Sequence, residues 1–295
     1  MPEFTEETIA RLFGADVAED EPTQRFLEYF FYNRTYEALR SGLPIRILVG
    51  HKGVGKSALL KRSYLADQTD GQQSFWLRPN DLISIKTAVH GAADFIYRIE
   101  GWKEGILREI IQQFTTAVYG PGASVIAADL ARGRTRDLMK VLSTALTDYQ
   151  KGQGKERALT VYIDDIDRGW SASAEDITNI SALLNAMRDM SGENDSLRFR
   201  IGLRSDVYFL VRTSDESTDK IERNVTWLRW TNDEILRLIA VRIETFFNGP
   251  FTQDRIAKLN QVDITRNILS KVIVPEFEGR AGSGNLHRTI SGISA

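Results

Sequence analysis

A glycine-rich segment near residue 50 contains the residue types that bind polyphosphates. Residues 50–57 read GHKGVGKS and match the pattern G-x-x-x-x-G-K-S/T. Glycines allow backbone N–H groups to turn inward around closely spaced negative charges, and a following helix adds its positive N-terminal end. Lys56 would reach the β- and γ-phosphates, and the Ser57 hydroxyl would ligate Mg²⁺. The segment therefore predicts a nucleotide-phosphate site that uses Mg²⁺.

The flanking sequence supplies the strand and the helix that this motif requires. The strand-like run Ile45–Val49 precedes it, and the helix-like run Ser57–Tyr64 follows it. An accidental glycine-rich turn would need neither neighbour. We expect His51 and Lys52 to be solvent-facing loop residues, with contact to a phosphate or to a partner as the alternative. The predicted nucleotide contacts are Gly50, Lys52, Gly53, Val54, Gly55, Lys56, Ser57 and Ala58.

A second chemical signal is an apolar run that ends in two carboxylates. Residues 159–165 read LTVYIDD, so Asp164 and Asp165 follow a predicted strand. When two acids end a strand in a nucleotide site, the first acid holds the Mg²⁺ shell. The second acid orients and deprotonates the water that attacks the phosphate. We therefore predict Asp164 as a metal residue and Asp165 as the catalytic base. The alternative is a solvated turn, because Asp is common at strand ends.

The interval between the two motifs indicates the nucleotide. Residues 57 and 164 are far enough apart for an additional strand, which marks the branch of P-loop proteins that place a water-activating acid on the second motif's strand. The sequence also contains no N-K-x-D motif for reading guanine. Both points favour ATP over GTP.

Arginines near these motifs are candidates for sensing the nucleotide. Arg204 follows the apolar run Phe199–Leu203, and ligands bind outside the carboxyl ends of the strands in a parallel sheet. A guanidinium there stabilises transition-state charge, so we predict Arg204 as a catalytic residue, with a surface arginine as the alternative. Arg168 either pairs with Asp167 or faces a neighbouring subunit.

A glycine-rich loop near the C-terminus is a second place for such a sensor. Residues 279–288 read GRAGSGNLHR and lead into a predicted helix. Arg288 is the first candidate for a residue that binds nucleotide and reports its phosphate state, and Arg280 is the second. An ordinary flexible loop with solvated arginines is an equally good interpretation.

Alternating strand and helix patterns supply the elements that position these residues. The alternation begins at residue 44 and predicts a parallel sheet covered on both faces. After residue 230 the pattern is helical and starts at a capping box, TNDE. The prediction is an α/β P-loop NTPase of the additional-strand branch with a parallel sheet, with an N-terminal helical segment (1–43), an ATPase core (44–230) and a helical lid domain (231–295). The predicted strands are Ile45–Val49, Ser74–Leu77, Leu159–Ile163, Phe199–Leu203 and Val225–Leu228. Helices outside the core are predicted at residues 5–13, 22–40, 252–259, 263–270 and 284–293.

The composition excludes several classes of function. The chain has 295 residues and a net charge of -2, which argues against binding nucleic acid or a membrane through bulk charge. It has no cysteine, which excludes disulfides and thiolate-bound metals, and its three histidines are widely separated. No apolar stretch approaches the ~20 residues that span a bilayer, and the N-terminus lacks the features of a signal peptide. We therefore predict a cytoplasmic protein without a membrane partner.

One local cluster of positive charge leaves contact with nucleic acid open. Arg132, Arg134, Arg136 and Lys140 lie within nine residues of one another. Because no aromatic residues are interleaved with them, a solvated helix face is the favoured interpretation.

These motifs resemble the bacterial P-loop ATPases related to the KAP and STAND groups (STAND stands for signal-transduction ATPases with numerous domains). The resemblance rests on FG at residues 13–14, AED at 18–20, the phosphate loop, DDIDR at 164–168, and LRW at 228–230 followed by TNDEILRLIAVRI. Two features depart from the pattern. KAP members commonly carry membrane segments, which this chain lacks, and their usual Pro-Arg pair is replaced by His287 and Arg288.

The resemblance implies an ATP-binding core that switches state or oligomerises, often in bacterial antiviral defence beside an effector. It carries Lys56, Ser57, Asp164, Asp165 and Arg204 over as nucleotide residues. Because the sequence ends at residue 295 without room for an effector domain, we expect a separately encoded effector, or a chain that is one piece of a larger protein. The prediction is thus a homo-oligomeric ATPase switch with ATP and Mg²⁺. The alternatives are an AAA+-type nucleic-acid remodeller or loader, and a scaffold that binds ATP without hydrolysis.

Overall fold

The structure is a computed structural model of the chain. It describes residues 5–14, 21–90, 94–120, 133–153, 158–213, 219–273, 276–279 and 282–285. These residues form two compact units, of which one combines residues 1–34 with 229–295 and the other contains residues 35–228.

Twelve α-helices and seven strands occur within the described ranges. The helices are α1 Glu6–Phe13, α2 Thr23–Tyr29, α3 Arg34–Leu39, α4 Lys56–Thr69, α5 Pro79–Val89, α6 Phe95–Tyr119, α7 Thr135–Gln153, α8 Ala174–Glu193, α9 Ser205–Arg212, α10 Asn232–Phe246, α11 Gln253–Lys258 and α12 Gln261–Asn267. Short 3₁₀ helices cover Asp219–Asn224 and Leu269–Lys271. The strands are β1 Ile45–Gly50, β2 Ser74–Leu77, β3 Leu159–Ile163, β4 Leu197–Arg204, β5 Val225–Trp227, β6 Glu276–Gly279 and β7 Gly282–Asn285.

The larger unit is built on a parallel sheet of five strands in the order β2-β3-β4-β1-β5. Each of the five predicted strands is present, with its ends within two residues of the prediction. Such a mixed α/β arrangement is consistent with the P-loop fold that the motifs predict. Strand β4 lies between β1, which leads into the phosphate loop, and β3, which leads into the acidic pair.

The two faces of this sheet differ in chemistry, because successive side chains of a strand point to opposite faces. One face packs aliphatic residues such as Ile47, Val161 and Ile201 against α6, α8 and α9. The other face packs against α4, where Leu60 lies over Gly202 of β4. Polar side chains of the strands are concentrated on this second face.

The carboxyl ends of three strands meet at one edge of the sheet. In the register of β1 and β4, Gly50 lies opposite Arg204, and in the register of β3 and β4, Ile163 lies opposite Ile201. Because all the strands are parallel, the phosphate loop, the acidic pair and Arg204 follow their strands at the same edge.

The smaller unit combines helices from both ends of the chain. Leu12 of α1 is buried in a cluster with residues of α10, α11 and α12, including Leu236 and Ile264. Arg25 Nη2 donates to the Ala10 carbonyl at 3.0 Å, and Tyr29 Oη donates to the Arg11 carbonyl at 2.9 Å, so α2 is tied to the end of α1. The N-terminal helices therefore complete the core of the C-terminal helices.

The predicted single helix over residues 22–40 is wrong. The structure has α2 and α3 with an extended break between them, beginning at Phe30. In a continuous helix, consecutive side chains would point in directions about 100° apart around the helix axis. In the break, Phe30 is buried beside Tyr32, with ring centroids 5.1 Å apart, while Phe31 packs on Trp230 at 6.1 Å. Aromatic packing therefore overrides the helical pattern.

The predicted helix over residues 284–293 is wrong at its start. Residues 284 and 285 belong to β7, which pairs antiparallel with β6, so that Glu276 lies opposite Asn285. Glycines at positions 282 and 284 disfavour a helix by about 1 kcal/mol each. The rest of that prediction lies outside the described residues.

None of the helices in the described ranges has both the length and the apolar character that crossing a bilayer requires.

Candidate functional site

The phosphate loop joins β1 to α4 in a conformation that requires glycine. Gly53 and Gly55 have φ angles of 79° and 100°, in the left-handed region where a side chain is strained. A Cβ at either position would meet no atom within 4 Å, so the backbone conformation and not the space requires these glycines. At Gly50 the reason is space, because a Cβ would lie 2.8 Å from Val54 Cγ1.

Lys56 is the first residue of α4, and its ammonium turns back onto the loop. Its Nζ donates to the carbonyl oxygens of Gly50 at 3.1 Å and His51 at 3.0 Å. Burial lowers the pKa of Lys56, and the nearby charges of Asp164 and Asp167 act in the opposite direction. The cation is therefore held at the loop by neutral carbonyls, which a phosphate oxygen would outcompete.

Asp164 follows β3 and faces the first turn of α4. Its side chain is buried beside the Ser57 hydroxyl, while its Oδ2 is buried without a hydrogen-bond partner. Burial raises the pKa of Asp164 to about 6, the Ser57 hydroxyl lowers it, and the neighbouring Asp165 raises it further. An unpartnered carboxylate oxygen beside a hydroxyl offers the oxygen donors that Mg²⁺ prefers. The residues therefore fit a magnesium site.

The raised pKa of Asp164 predicts that Asp164→Asn stabilises the protein when Mg²⁺ and nucleotide are left out. Between about pH 4 and pH 6 the folded protein binds more protons than the unfolded chain, so ionisation of Asp164 costs stability as the pH rises. An amide does not ionise. We expect the difference in unfolding free energy to grow from less than about 1 kcal/mol at pH 4 to about 3 kcal/mol at pH 7. Urea unfolding from pH 4 to 8 measures it, and a difference that does not change with pH would contradict the prediction.

The sequence analysis missed a residue on which this site depends, Gly202 of β4. A Cβ at Gly202 would collide with Asp164 Oδ1 and lie 3.0 Å from Leu60 Cδ1. The missing side chain on the neighbouring strand therefore makes room for the carboxylate. The signal was present in the sequence, because a lone glycine inside a strand often marks the close approach of another group.

Replacing Gly202 with alanine should displace the Asp164 carboxylate from Ser57. Overpacking of this kind costs about 1–3 kcal/mol of stability. We expect a lower melting temperature together with loss of the part of nucleotide affinity that depends on Mg²⁺, measured by calorimetry. Gly192→Ala in α8 is the control, because a Cβ there meets no atom within 4 Å. Full Mg²⁺-dependent affinity in the Gly202→Ala protein would show that Gly202 does not shape the site.

Asp165 differs from Asp164 in its access to water. It is exposed and has a φ of 55°, a left-handed conformation that Asp tolerates better than most residues. Its carbonyl accepts from the Arg168 N–H at 3.0 Å, which closes a turn directly after β3. Strained backbone of this kind clusters at functional sites. The two carboxylates thus have the different environments that a metal residue and a base for water require.

Arg204 ends β4 and pairs with two acidic residues, Asp206 in the first turn of α9 and Asp167 in the turn after β3. Its Nε donates to Asp206 Oδ1 at 3.1 Å and lies 3.4 Å from Asp167 Oδ2. Burial raises the pKa of Asp167, and the charge of Arg204 lowers it. In the structure Asp167 pairs with Arg204, which comes from the adjacent strand at the same edge, while Arg168 is exposed in the turn, and the role of Arg168 stays a prediction.

The remaining predicted residues fall into two groups. His51 and Lys52 are exposed, and His51 Nδ1 lies 3.1 Å from the Ser205 hydroxyl. Val54 belongs to the loop, and Ala58 to the first turn of α4. Arg134, Arg136 and Lys140 are exposed at the start of α7. Arg132, Arg280 and Arg288 lie outside the described residues, so their predicted roles stay predictions.

Comparison with known proteins gives only distant likenesses. No family model and no curated protein matches the chain. The structure of the Aeropyrum pernix ORC2 protein in ADPNP-ADP complexes is 16% identical, with a TM-score of 0.34, over 68% of this chain and 46% of that chain. The chain therefore spans about half the length of that protein. The structure of the E. coli MS115-1 HORMA:CdnC:Trip13 complex is 12% identical, with a TM-score of 0.31, over 99% of this chain and 92% of that chain.

Both TM-scores lie below 0.5, so neither likeness assigns the chain to a family. The resemblance to the KAP and STAND groups stays a prediction.

Proposed function

We propose that this protein binds ATP with Mg²⁺ and hydrolyses it. The observation that carries the proposal is the meeting of three features at one edge of the sheet. They are a loop with left-handed glycines that ends in Lys56, a buried Asp164 beside Ser57, and an exposed Asp165 that follows it in the chain. A phosphate site, a hard-cation site and a carboxylate open to water are the parts that nucleotide hydrolysis needs.

The loop and the start of α4 bind the polyphosphate. The first N–H groups of a helix have no partners within it, and they favour an anion at that end. Lys56 exchanges the Gly50 and His51 carbonyls for oxygens of the β- and γ-phosphates. Ser57 and Asp164 would hold Mg²⁺, which when bound neutralises charge on these phosphates.

Asp165 and Arg204 act on the bond that is broken. Asp165 orients a water molecule and accepts its proton as the water oxygen attacks the γ-phosphorus, and the bond to the bridging oxygen of ADP breaks. Arg204 stabilises the charge that develops on the γ-phosphoryl oxygens. To do so, the guanidinium of Arg204 gives up its contact with Asp206 or Asp167 and binds the phosphate instead.

We further propose that hydrolysis operates a conformational or assembly switch. Lys56 and Arg204 are bonded to protein groups that the nucleotide would replace, so bound and free forms differ in their contacts. The sequence resemblance supports extending the proposal to a homo-oligomer with a separately encoded effector in antiviral defence.

Calorimetry with ATP, ADP and GTP, with and without Mg²⁺, tests the proposed function. We expect uptake of adenine nucleotides that Mg²⁺ strengthens, and slow release of phosphate from ATP. No uptake by folded protein would overturn the proposal. Mass measurement by light scattering with and without ATP and Mg²⁺ tests the switch, since a complex whose mass and shape do not respond to nucleotide would indicate a permanent scaffold.

A further inference from the structure

We infer that Tyr162 is a positioning residue that fixes Asp164 relative to the phosphate helix α4. The inference rests on the proposed function and names a residue through which the magnesium site is held in place. Tyr162 precedes Asp164 by two residues, so both side chains point to the same face of the sheet. That face packs against α4.

The Tyr162 hydroxyl is bonded to α4 in the interior of the protein. It donates to Asp67 Oδ2 at 2.6 Å and lies 2.8 Å from Ser63 Oγ. Tyr162 and Ser63 are each 1% exposed, and Asp67 is 6% exposed. Burial raises the pKa of Tyr162, so the phenol keeps the proton that it donates. Hydrogen bonds of this kind are directional and fix a register that apolar contacts leave adjustable.

The acceptor of this hydrogen bond is itself held in place. Arg40 Nη1 donates to Asp67 Oδ1 at 3.0 Å and to the Ser63 carbonyl at 3.1 Å. Both carboxylate oxygens of Asp67 therefore have partners. A buried polar network with all its members satisfied rigidifies the elements that it joins.

Aromatic rings fix the Tyr162 side chain from two sides. Trp76, its neighbour on β2, stacks on it with centroids 5.9 Å apart and an angle of 7° between the planes. Tyr64 of α4 meets it edge-on at 5.6 Å. The ring is thus held independently of its hydroxyl. Loss of the hydroxyl should therefore remove the hydrogen bonds to α4 without displacing the ring.

Strand β3 and helix α4 are therefore joined at two points. One is the approach of Asp164 to Ser57 at the first turn, where nucleotide would bind, and the other is the hydrogen bond from Tyr162 to Asp67 further along the helix. Because both side chains come from one face of one strand, the hydrogen bond of Tyr162 sets the position from which Asp164 faces Ser57.

Tyr162→Phe tests the inference, with Tyr149→Phe as the matched control. The Tyr149 hydroxyl also has a hydrogen bond, from Gln73 Nε2 at 2.7 Å, but it lies on α7. We expect Tyr162→Phe to bind ATP normally in EDTA, while the gain in affinity on adding Mg²⁺ falls by about tenfold. In the presence of Mg²⁺ the KM for ATP should rise by a similar factor, because KM follows the affinity when hydrolysis is slow. Calorimetry and phosphate release measure these quantities, and Tyr149→Phe should match the wild type in both.

The outcomes separate the inference from the proposed function. If the wild-type protein takes up no nucleotide, the proposed function is wrong and the inference falls with it. If the wild type responds to Mg²⁺ and Tyr162→Phe loses only thermal stability, Tyr162 is merely structural. If Tyr162→Phe fails to fold, Ser63→Ala is the second variant, because it removes a weaker hydrogen bond of the same network. We expect the gain in ATP affinity on adding Mg²⁺ to be about threefold smaller in Ser63→Ala than in the wild type. If Ser63→Ala kept the full wild-type gain in ATP affinity on adding Mg²⁺, the inference would be overturned.

Discussion

Replacing Lys56 with alanine should lower the affinity for ATP by about 100-fold while leaving the fold intact. A hydrogen bond between charged groups is worth about 1.5–3 kcal/mol, and Lys56 is the one cation expected to contact both the β- and γ-phosphates. Its present partners are two backbone carbonyls of the loop. Those carbonyls are next to solvent, so the loss should change the unfolding free energy by less than about 1 kcal/mol.

Calorimetric titration with ATP and Mg²⁺ measures the loss, and thermal unfolding checks the fold. Lys151→Ala on α7 is the control, because its ammonium is exposed and lies 3.7 Å from Asp148. If Lys56→Ala bound ATP within a few-fold of the wild type, the loop would not be the phosphate site, and the assignments built on it would fail.

Asp165→Asn should bind ATP and Mg²⁺ normally but hydrolyse ATP at least about 100-fold more slowly, because a positioned general base contributes about 10²–10⁴ in rate. Asparagine has the same shape and also tolerates the left-handed conformation at this position. The substitution therefore removes the base without straining the turn after β3. Phosphate release under saturating ATP measures the rate, and calorimetry confirms binding.

Asp148→Asn, an exposed carboxylate on α7, is the control for Asp165→Asn and should turn over at the wild-type rate. Normal turnover in Asp165→Asn would assign the base to another group. Asp167 is then the next carboxylate to test, since it belongs to the turn after β3 and lies 3.4 Å from Arg204.

The elements of the core could be predicted because each strand is a short apolar run bounded by turn residues. Strand β3 ends where Asp164 begins, and β1 ends at the first glycine of the loop, so chemistry and boundary coincide. The order of the strands in the sheet could not be predicted from any single run of residues, because it depends on which strands pair with each other. The break that begins at Phe30 could not be predicted for a related reason, because Phe31 within it packs on Trp230, which is far away in sequence.

The same limit applies to the candidate site. Lys56 and Ser57 belong to a contiguous motif whose residue types and spacing predict their chemistry. Gly202 and Tyr162 have roles that depend on side chains of neighbouring elements, so each looks like an ordinary strand residue in the sequence. The partner of Asp167 likewise comes from another strand.

The burial of Leu12 among α10, α11 and α12 has a consequence for how the molecule is made. During translation the first helices leave the ribosome long before the segment that covers them. Residues 35–228 contain their own core and can collapse as soon as they emerge. The helical unit must instead wait for its C-terminal half, and closing so long an intervening segment costs entropy that only the finished chain recovers. During synthesis, the five-stranded sheet therefore forms before the helical unit in which Leu12 is buried.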